Sequence, residues 1–398
     1  MTSTSDIRPD NRFPIGAAVT AEQLATDPLP ALAELRAAEP VSWLPAVNAW
    51  LVTRRDLAVE AMRNADDFTV DDPRFTTAVV LGPSMLSLDG PEHERHRRPF
   101  APAFRPGILR EHFDAFLTDQ VGDLLDGLDL ATDDLRTRLA GPLAVNTIAR
   151  FLGLEGVTAE EVLEWYQSIA RAITELTLGG EMRDGDAAIV RAVHDRVQAA
   201  IDESTSVSLL RSVEATGLIR PDEMATAAVV LMFGAIETAE GMTANACWHL
   251  LSIPGLWKTV QADRTLVAGV VEESVRVEPA AAVIDRYATR DVELGGALIQ
   301  KGDLVTISLL GANHDPDEFS EPERFDPRRE NLRRHVSFVQ GPHGCLGLHL
   351  ARMQTTAVLN GLLDRLPNAT LDHDRSVGPS GLIFRKAGTV RVHLPPVP

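Results

Sequence analysis

Apolar residues recur every three or four positions along most of the chain, which is the spacing of an amphipathic helix. This periodicity predicts eleven helices, near residues 28–38, 55–64, 91–101, 109–128, 137–152, 158–176, 185–203, 222–252, 254–261, 264–278 and 346–365. Short strand signals lie near residues 40–53, 291–309 and 380–394. The pattern therefore predicts a mainly α fold with a minor β portion.

The chain carries no sign of a division into several domains. No unit of about 20–50 residues repeats, and no Gly/Ser-rich or acidic linker separates two blocks of sequence. The first 20 residues are polar and contain Pro9 and Pro14. We therefore expect an N-terminal tail over residues 1–20 and one large domain over residues 21–398.

One predicted helix is unusually long and apolar. It begins at Pro221, a favourable first helical residue, and runs to about Leu251. Its middle is apolar on nearly all sides, so it should be buried. Gly234, Glu237 and Thr238 interrupt that stretch, although a buried carboxylate is costly without a partner and glycine weakens a helix by about 1 kcal/mol. Their position in the core favours a functional explanation.

Composition and charge narrow the function classes. The 398 residues are 44% hydrophobic and 24% charged, with a formal net charge of −19. Such an acidic chain is not typical of nucleic-acid binding or of binding to anionic membranes. The longest apolar run, residues 227–236, is far shorter than the roughly 20 residues that span a bilayer, and the N-terminus lacks the apolar core of a signal peptide.

The cysteine count excludes further classes of site. The chain has only Cys247 and Cys345, which cannot form a disulfide framework, a four-cysteine zinc site or a protein-bound iron–sulfur cluster. A reducing, cytoplasmic compartment fits this composition. We expect a soluble cytoplasmic protein.

The strongest chemical signal is the loop from Phe338 to Gly347, which contains Cys345 and leads into the last long helix. At a helix start, the helix dipole and free N–H groups favour a thiolate over a thiol. Glycines such as Gly341 let the backbone approach a large flat group beside the sulfur. A lone cysteine is more often a small buried apolar residue, so the loop alone leaves both interpretations open.

The loop pattern F-x-x-G-x-x-x-C-x-G resembles the heme-binding loop of the cytochrome P450 family. Three further segments resemble family motifs in the family's chain order: Gly234–Thr238, Glu273–Arg276 and Glu321–Phe325. The resemblance covers about residues 40–390. It implies a single cytochrome P450-like domain built around a long central helix, with heme b as cofactor and the Cys345 thiolate as the axial iron ligand.

The resemblance also implies cations for the two heme propionates. His93 and Arg97 match the family's D-x-P-x-H-x-x-x-R segment, and Arg286 and His343 match its other propionate ligands. His335 is a further candidate. Alone, each of these side chains is more typical of a surface charge.

Two other motifs have both a structural and a functional interpretation. Glu273 and Arg276, with Arg324 as the implied third member, resemble a network that holds the fold together beneath the heme. Glu237 and Thr238 resemble the acid–alcohol pair that delivers protons during oxygen activation. Thr238 could instead donate only to the carbonyl of residue 234, as buried helical threonines do.

The chain departs from the family pattern at three places. The family's usual glycine after the loop phenylalanine is replaced by Val339, its glycine before x-E-T by Ala235, and its second threonine by Ala239. Ala235 adds a methyl group close to the oxygen site. These changes are expected to affect efficiency or selectivity before they affect the reaction type.

Together these features predict a heme-thiolate monooxygenase that inserts one atom of O2 into a lipophilic small molecule, by hydroxylation or epoxidation, in secondary metabolism. The predicted substrate pocket comprises Val80, Met85, Phe233, Ala235, Val283, Ile284 and Ile383. A peroxide-driven peroxygenase and a non-catalytic heme-binding module are the alternatives.

Electrons should come from a separate ferredoxin and its NAD(P)H-dependent reductase, because no Gly-rich dinucleotide fingerprint follows a strand and no cluster cysteines exist. The ferredoxin is expected to dock on a local basic face. That face is predicted to comprise Arg95, Arg98, Arg328, Arg329, Arg333 and Arg334.

Overall fold

The computed structural model describes residues 12–154, 157–177, 184–203, 209–366 and 368–394. Its α-helices are α1 Pro14–Ala18, α2 Ala21–Thr26, α3 Leu29–Ala38, α4 Arg55–Arg63, α5 Thr76–Leu81, α6 Gly90–Arg97, α7 Pro106–Asp126, α8 Gly141–Leu152, α9 Ala159–Thr177, α10 Asp184–Glu203, α11 Leu209–Glu214, α12 Pro221–Ser252, α13 Leu256–Ala262, α14 Val267–Val277, α15 Leu309–Asn313 and α16 Leu348–Arg365. Its strands are β1 Val41–Leu44, β2 Ala49–Val52, β3 Phe68–Thr69, β4 Val283–Ala288, β5 Val292–Leu294, β6 Ala297–Ile299, β7 Leu304–Ser308, β8 Thr370–Leu371, β9 Val377–Ser380, β10 Lys386–Thr389 and β11 Val392–His393. Helices account for 56% and strands for 11%, which confirms the predicted fold class.

The long helix α12 forms the centre of the single domain, as the sequence predicts. Its 32 residues span about 48 Å at about 1.5 Å per residue. Helices α8, α9, α10, α14 and α16 all pack against it. In the described part of the chain, α12 is long and apolar enough to cross a membrane by composition, yet 72% of its most apolar window is buried. The packing of the core therefore accounts for its apolar surface.

The main sheet places part of the predicted site beside the helical core. Its five strands follow the order β1-β2-β7-β4-β3, with β2 parallel to β7 and the other pairs antiparallel. Strand β4 carries Val283, Ile284 and Arg286. The sequence pattern does not reveal β4, because polar Asp285 and Arg286 interrupt a run whose burial does not alternate.

Part of the predicted N-terminal tail is folded. The backbone N–H groups of Ile15 and Gly16, in α1, donate to the carboxylate of Glu39 at 2.9 and 3.0 Å, and the Ser42 hydroxyl donates to it at 2.7 Å. Residues 1–11 and 395–398 lie outside the described residues. A boundary between tail and domain at residue 20 stays a prediction.

A buried ion network joins α14 to the segment that precedes the cysteine loop. Arg276 makes two hydrogen bonds to Glu273, at 2.7 and 2.8 Å, and both side chains are fully buried. The third charged member is Arg329, whose Nε lies 3.1 Å from Glu273 Oε1. The prediction of Arg324 in this role is wrong, because its side chain is 62% exposed and pairs with Glu321. Arg324 contributes only its carbonyl oxygen, which accepts from Arg276 and Arg329.

This network makes a prediction about stability. We expect Arg329→Gln to lower the free energy of unfolding by about 2–4 kcal/mol, because it leaves Glu273 with less charge compensation in the interior. The matched change Arg324→Gln breaks an exposed pair and should cost no more than about 0.5 kcal/mol. Denaturant titration of both variants measures the difference, and equal losses would contradict the assignment of Arg329.

Candidate active site

The cysteine loop holds the Cys345 sulfur in a fixed position at the start of α16. The Cys345 N–H donates to the Phe338 carbonyl at 2.8 Å, and the N–H groups of Gly347 and Leu348 point to the sulfur. Gly341 has φ +78°, and a Cβ at this position would lie 2.7 Å from the Met62 carbonyl oxygen in α4. Only glycine fits this contact.

Two opposing influences act on the Cys345 thiol. Desolvation by the surrounding atoms raises the pKa of the thiol, whereas the two N–H groups and the positive charges of Arg97 and Arg352 lower it. Arg97 donates a hydrogen bond to the Gly344 carbonyl, so its charge is held beside the sulfur. Desolvation outweighs these lowering contacts, so the net effect is a raised pKa of the Cys345 thiol. A metal ion bound to the sulfur would favour the thiolate, which is a suitable ligand for a soft or borderline metal ion.

Val339 carries strain next to this sulfur. Its φ is +60°, in the left-handed region that β-branched residues rarely adopt. The Val339 N–H donates to the Val336 carbonyl at 2.8 Å, which closes a tight turn directly after Phe338. The turn keeps a backbone conformation that suits glycine, although the sequence places valine there.

The predicted propionate ligands His93, Arg286 and His343 meet around Asp89. The rings of His93 and His343 lie 4.3 Å apart, and His343 Nε2 lies 2.8 Å from Asp89 Oδ1. Asp89 also acts electrostatically on Arg286. Burial alone would raise the pKa of Asp89, but hydrogen bonds from His343, Thr69 and a backbone N–H outweigh it and lower the pKa to about 2.

Two of these side chains have buried donors with no protein partner. In the described residues, four buried side-chain nitrogens lack a hydrogen bond, and they include His93 Nε2 and Arg286 Nη2. Burial and the neighbouring His343 and Arg97 lower the pKa of His93 to about 4, so the ring is neutral at pH 7, and Nε2 donates in the tautomer that carries its hydrogen there. Arg286 uses Nη1 to donate to the Asp285 carbonyl at 2.7 Å.

Unpartnered buried donors are rare in proteins and cost about 1–3 kcal/mol each. Here they come from α6 and β4, and both side chains interact electrostatically with Asp89. Acceptor oxygens of a bound anionic group would satisfy both. The side chains present therefore fit the carboxylates of heme b, whose propionates are two such acceptors.

Thr238 lies in the middle of α12, as predicted. Its hydroxyl donates to the Gly234 carbonyl at 2.6 Å, which is the structural alternative that the sequence left open. The hydroxyl oxygen retains its lone pairs, so this bond does not prevent a second hydrogen bond. Gly234 is exposed, and a Cβ built there would meet no atom within 4 Å, so this face of the core helix borders open space.

Glu237 has partners that the sequence did not reveal. Its Oε1 lies 2.8 Å from Lys386 Nζ, and its Oε2 accepts from the Tyr166 hydroxyl. Lys386 also bonds Glu240 at 3.0 Å. An ion pair thus accounts for a buried carboxylate in this helix even without a catalytic role. The scarcity of lysine in the sequence was the one signal that could have drawn attention to Lys386.

His335 does not join the propionate ligands. Its Nε2 lies 3.1 Å from Glu272 Oε2, in a buried cluster where Arg352 also binds Glu272. The Arg352 guanidinium lies 4.6 Å from the centre of the Phe338 ring. His335 therefore contributes to the packing of α14 against α16. The prediction that it is a propionate ligand is not supported.

The predicted substrate-pocket residues occupy adjoining segments. Val80, Met85 and Phe233 are buried in one core cluster, and Ala235 packs against it. The Phe233 ring lies 6.4 Å from that of Phe384. The other predicted pocket residues, Val283, Ile284 and Ile383, lie on two segments that are joined by a hydrogen bond. The N–H of Ala282, which precedes Val283, donates to the Ile383 carbonyl at 2.8 Å.

Three of the six arginines predicted to form the basic face have ion-pair partners: Arg95, Arg329 and Arg334, whose Nε lies 2.6 Å from Glu318 Oε1. Arg95 forms hydrogen bonds to Glu223 at 2.7 and 2.8 Å and to the Leu218 carbonyl at 2.9 Å, which ties α6 to the start of α12. Arg329 is 8% exposed within the Glu273 network. The assignment of Arg95 and Arg329 to an exposed docking face is wrong, because both are anchored by these contacts, whereas Arg328 and Arg334 remain exposed.

The remaining positive charge lies close to the cysteine loop. Arg98 and Arg333 are exposed, and so is Arg110 of α7. Arg110, Arg333 and Arg352 all act electrostatically on His349, in the first turn of α16. Exposed positive charge from Arg110 and Arg333 therefore lies near the start of α16, and Arg98 directly follows Arg97, which contacts the cysteine loop.

The strained valine makes a stability prediction. We expect Val339→Gly to be more stable to unfolding than Val339→Ala by about 1 kcal/mol, because both remove the same packing but only glycine relieves the left-handed strain. At an ordinary position alanine is favoured over glycine by about 0.4–1 kcal/mol. Thermal and denaturant unfolding of the two variants test the order, and alanine as the more stable variant would contradict the strain.

Comparisons with known proteins agree with this geometry. The family model for cytochrome P450 matches residues 258–376. Nocardicin C N-oxygenase of Nocardia uniformis subsp. tsuyamanensis is 31% identical and covers 98% of this chain and 99% of its own. The 20-oxo-5-O-mycaminosyltylactone 23-monooxygenase of Streptomyces fradiae is 31% identical, with 84% of this chain and 81% of its own covered. The crystal structure of CalO2 matches with a TM-score of 0.83 and 27% identity, over 93% of this chain and 96% of that one.

These similarities run through nearly the whole chain and agree with the cysteine loop, the long central helix and the unpartnered donors around Asp89. Proteins with this fold are heme-thiolate enzymes, and the relatives are named monooxygenases. The chain belongs to the cytochrome P450 family and is a heme-binding, bacterial-type monooxygenase.

Proposed function

We propose that this enzyme oxidises a lipophilic small molecule of secondary metabolism by hydroxylation or epoxidation, with electrons from a separate ferredoxin and its NAD(P)H-dependent reductase in the cytoplasm. In this proposal Cys345 is the axial iron ligand, and His93, Arg97, Arg286 and His343 hold the heme propionates. The observation that carries the proposal is a pair of buried donors on two separate elements, His93 Nε2 and Arg286 Nη2, which have no partner among the described residues.

When bound, heme supplies the redox chemistry that activates dioxygen. The chain's own part on the cysteine side is to hold the sulfur with two N–H groups and to place Arg97 beside it. Its part around Asp89 is to orient His343 through a hydrogen bond of 2.8 Å. These contacts fix the ligand set before the cofactor binds, which favours one orientation of the group.

Proton delivery is assigned to Thr238 and Glu237. The Thr238 hydroxyl is held by its bond to Gly234, on the face of α12 that borders open space. The overall reaction consumes one O2, two electrons and two protons, and yields one oxygenated product and one water. A hydroxyl and a carboxylate on adjacent residues can pass those protons toward the reacting oxygen.

Apolar contacts are expected to decide which substrates bind. Phe233, flanked by Tyr166 and Phe384 at 6.3 and 6.4 Å, gives the pocket an aromatic wall. Ala235 replaces the glycine typical of the family, and its methyl group narrows the space next to Thr238. Relatives from macrolide, nocardicin and pulcherriminic acid metabolism support a natural-product substrate.

The assignment of Thr238 makes a prediction about coupling. We expect Thr238→Ala to keep consuming NAD(P)H while product formed per NAD(P)H falls about tenfold and peroxide rises, because loss of one acid–base group costs at least that much. Thr238→Ser keeps the hydroxyl and should restore coupling. The assay uses a surrogate ferredoxin and reductase with a compound that shifts the heme spin state.

Several controls accompany this measurement. The reduced carbon monoxide complex of each variant should show the red-shifted Soret band of thiolate ligation, and Cys345→Ser should lose it. Unchanged coupling in Thr238→Ala, with only a lower melting temperature, would mean that the hydroxyl serves the helix alone. Fast turnover of the wild type with peroxide and no reductase would instead support the peroxygenase alternative.

The electron partner is expected to dock on the basic face defined by Arg98, Arg110 and Arg333. An acidic ferredoxin would be attracted to it despite the net charge of −19. We expect Arg98→Glu and Arg333→Glu each to slow reduction by ferredoxin about five- to tenfold at low ionic strength, and the difference to shrink as salt is added. Stopped-flow absorbance measures this rate.

The control for this prediction is Arg191→Glu, an exposed residue of α10. Helix α10 packs against α5, α9 and α12, away from α16. Equal slowing in all three variants would indicate a general charge effect and would contradict docking at the basic face.

A further inference from the structure

A groove runs along the surface between the start of α7, the end of α8 and α11. It comprises two adjoining cavities of about 870 and 640 Å³, which share Pro102 and Arg105 as lining residues. Small-molecule sites in proteins typically occupy about 300–1,000 Å³. None of the side chains assigned above to the heme or to the substrate pocket lines this groove, so it is a separate feature of the molecule.

The floor of the groove is apolar. Phe113 of α7 and Phe151 of α8 line it, with their ring centres 5.8 Å apart, and Leu154 lies beyond the end of α8. The Phe151 ring also lies 4.5 Å from that of Phe104, so packing from the core holds the floor in place. Ile108 lines the same groove and is 41% exposed. An apolar chain laid along this floor would remove its surface from water.

The rim of the groove is positively charged. Arg98, Arg105 and Arg150 line it and are exposed, and His112 of α7 lies among them. Of the described residues that line the two cavities, none is acidic. The whole chain has 57 acidic residues against 38 basic ones, so composition alone does not predict a rim of this kind.

The three rim arginines have no competing carboxylate. In the part of the chain that the structure describes, none of them forms an ion pair, in contrast to Arg95 and Arg329. The Arg150 guanidinium lies 4.7 Å from the centre of the Phe116 ring, which orients it without using its N–H groups as donors to an anion. Arginine binds carboxylates through two parallel hydrogen bonds, so the rim offers ready donors to an anionic group.

We infer that this groove is a binding site for an amphipathic anion with a single apolar chain, namely a long-chain carboxylate free in solution. The carboxylate binds Arg105 and Arg150 at the rim, and the apolar chain lies over Ile108 and Phe151. Fixed aromatic side chains and unpaired cations require little rearrangement on binding. The inference goes beyond the proposed function and does not depend on it, because no residue of the heme site takes part.

The test is isothermal titration of the holoenzyme with dodecanoate, kept below its micelle concentration. A saturating azole that coordinates the heme iron closes the substrate pocket, and its Soret shift confirms that the pocket stays occupied. We expect one dodecanoate to bind per chain under these conditions. Octanoate should bind at least about tenfold more weakly, because it has four fewer methylene groups to bury. Dodecyltrimethylammonium has the same chain length with a cationic head group, and it should not bind.

Two substitutions of Ile108 separate the effect of charge from that of apolar surface. Ile108 is the third residue of α7, where a glutamate suits the N-terminus of a helix, so Ile108→Glu should fold. We expect Ile108→Glu to bind dodecanoate about five- to tenfold more weakly than Ile108→Gln, and the difference to shrink as salt is added. Equal affinities of the two variants would contradict a carboxylate in the groove.

The rim cations are tested separately. Arg105→Ala and Arg150→Ala should each weaken binding of dodecanoate about fivefold or more, because each removes hydrogen bonds to a charged group. Arg110→Ala is the matched control, since Arg110 is an exposed arginine of α7 that acts on His349 and is not part of the rim. The same loss in Arg110→Ala would indicate a general charge effect and would overturn the inference.

Two further outcomes would also overturn it. If dodecanoate binds only without the azole, and shifts the heme spin state as it does so, its site is the heme pocket. If the protein binds vesicles of phosphatidylcholine and phosphatidylglycerol but not free dodecanoate, the basic rim serves a lipid surface instead. Melting temperature and heme content show that each variant is folded. Because no measurement requires turnover, failure of the proposed reaction leaves this test unaffected.

Discussion

The cysteine side of the site depends on the ion pairs of Glu273, whose carboxylate is fully buried. A charge in that position is tolerated only with cations at hydrogen-bond distance, and removal of a partner from such a pair is strongly destabilising. Arg276 extends the network to the Asn313 carbonyl at 2.9 Å. The Asn313 side chain in turn donates to the Ser337 hydroxyl at 2.7 Å. One ion cluster thus fixes the start of the loop that ends at Cys345.

The two sides of the site use different physical means. Around Cys345 the backbone provides most of the contacts. Two N–H groups point to the sulfur, and Gly341 fits against α4. Around Asp89 side chains from α6, β4 and the cysteine loop converge, and some of their donors have no hydrogen-bond partner in the part of the chain that the structure describes. A site with fixed donors of this kind is preorganised for an anionic group, because little rearrangement is needed on binding.

Charge is distributed unevenly in this acidic protein. Arginine provides most of the structural ion pairs, including those of Glu223, Glu272 and Glu273. Lysine occupies the one cationic position that bridges Glu237 and Glu240. The distinction has a physical basis, since arginine offers several donors in a rigid fork and lysine a compact point charge.

Sequence periodicity by itself determined the fold class, the long central helix and nearly all the long helices, because each apolar stripe must be buried against a neighbour. The family motifs led to Cys345, Thr238 and the residues around Asp89, because their spacing along the chain is characteristic. Short elements such as α5, α15 and β4 were missed, since a few residues do not establish a period.

Tertiary structure alone decided which distant side chains meet. The family resemblance pointed to Arg324, yet Arg329 reaches Glu273, because local turns decide which guanidinium points inward. Glu240 and its partner Lys386 are 146 residues apart, on a central helix and a late strand. No local pattern encodes such a pair, because it exists only after the packing of β10 against α12 brings the two charges together.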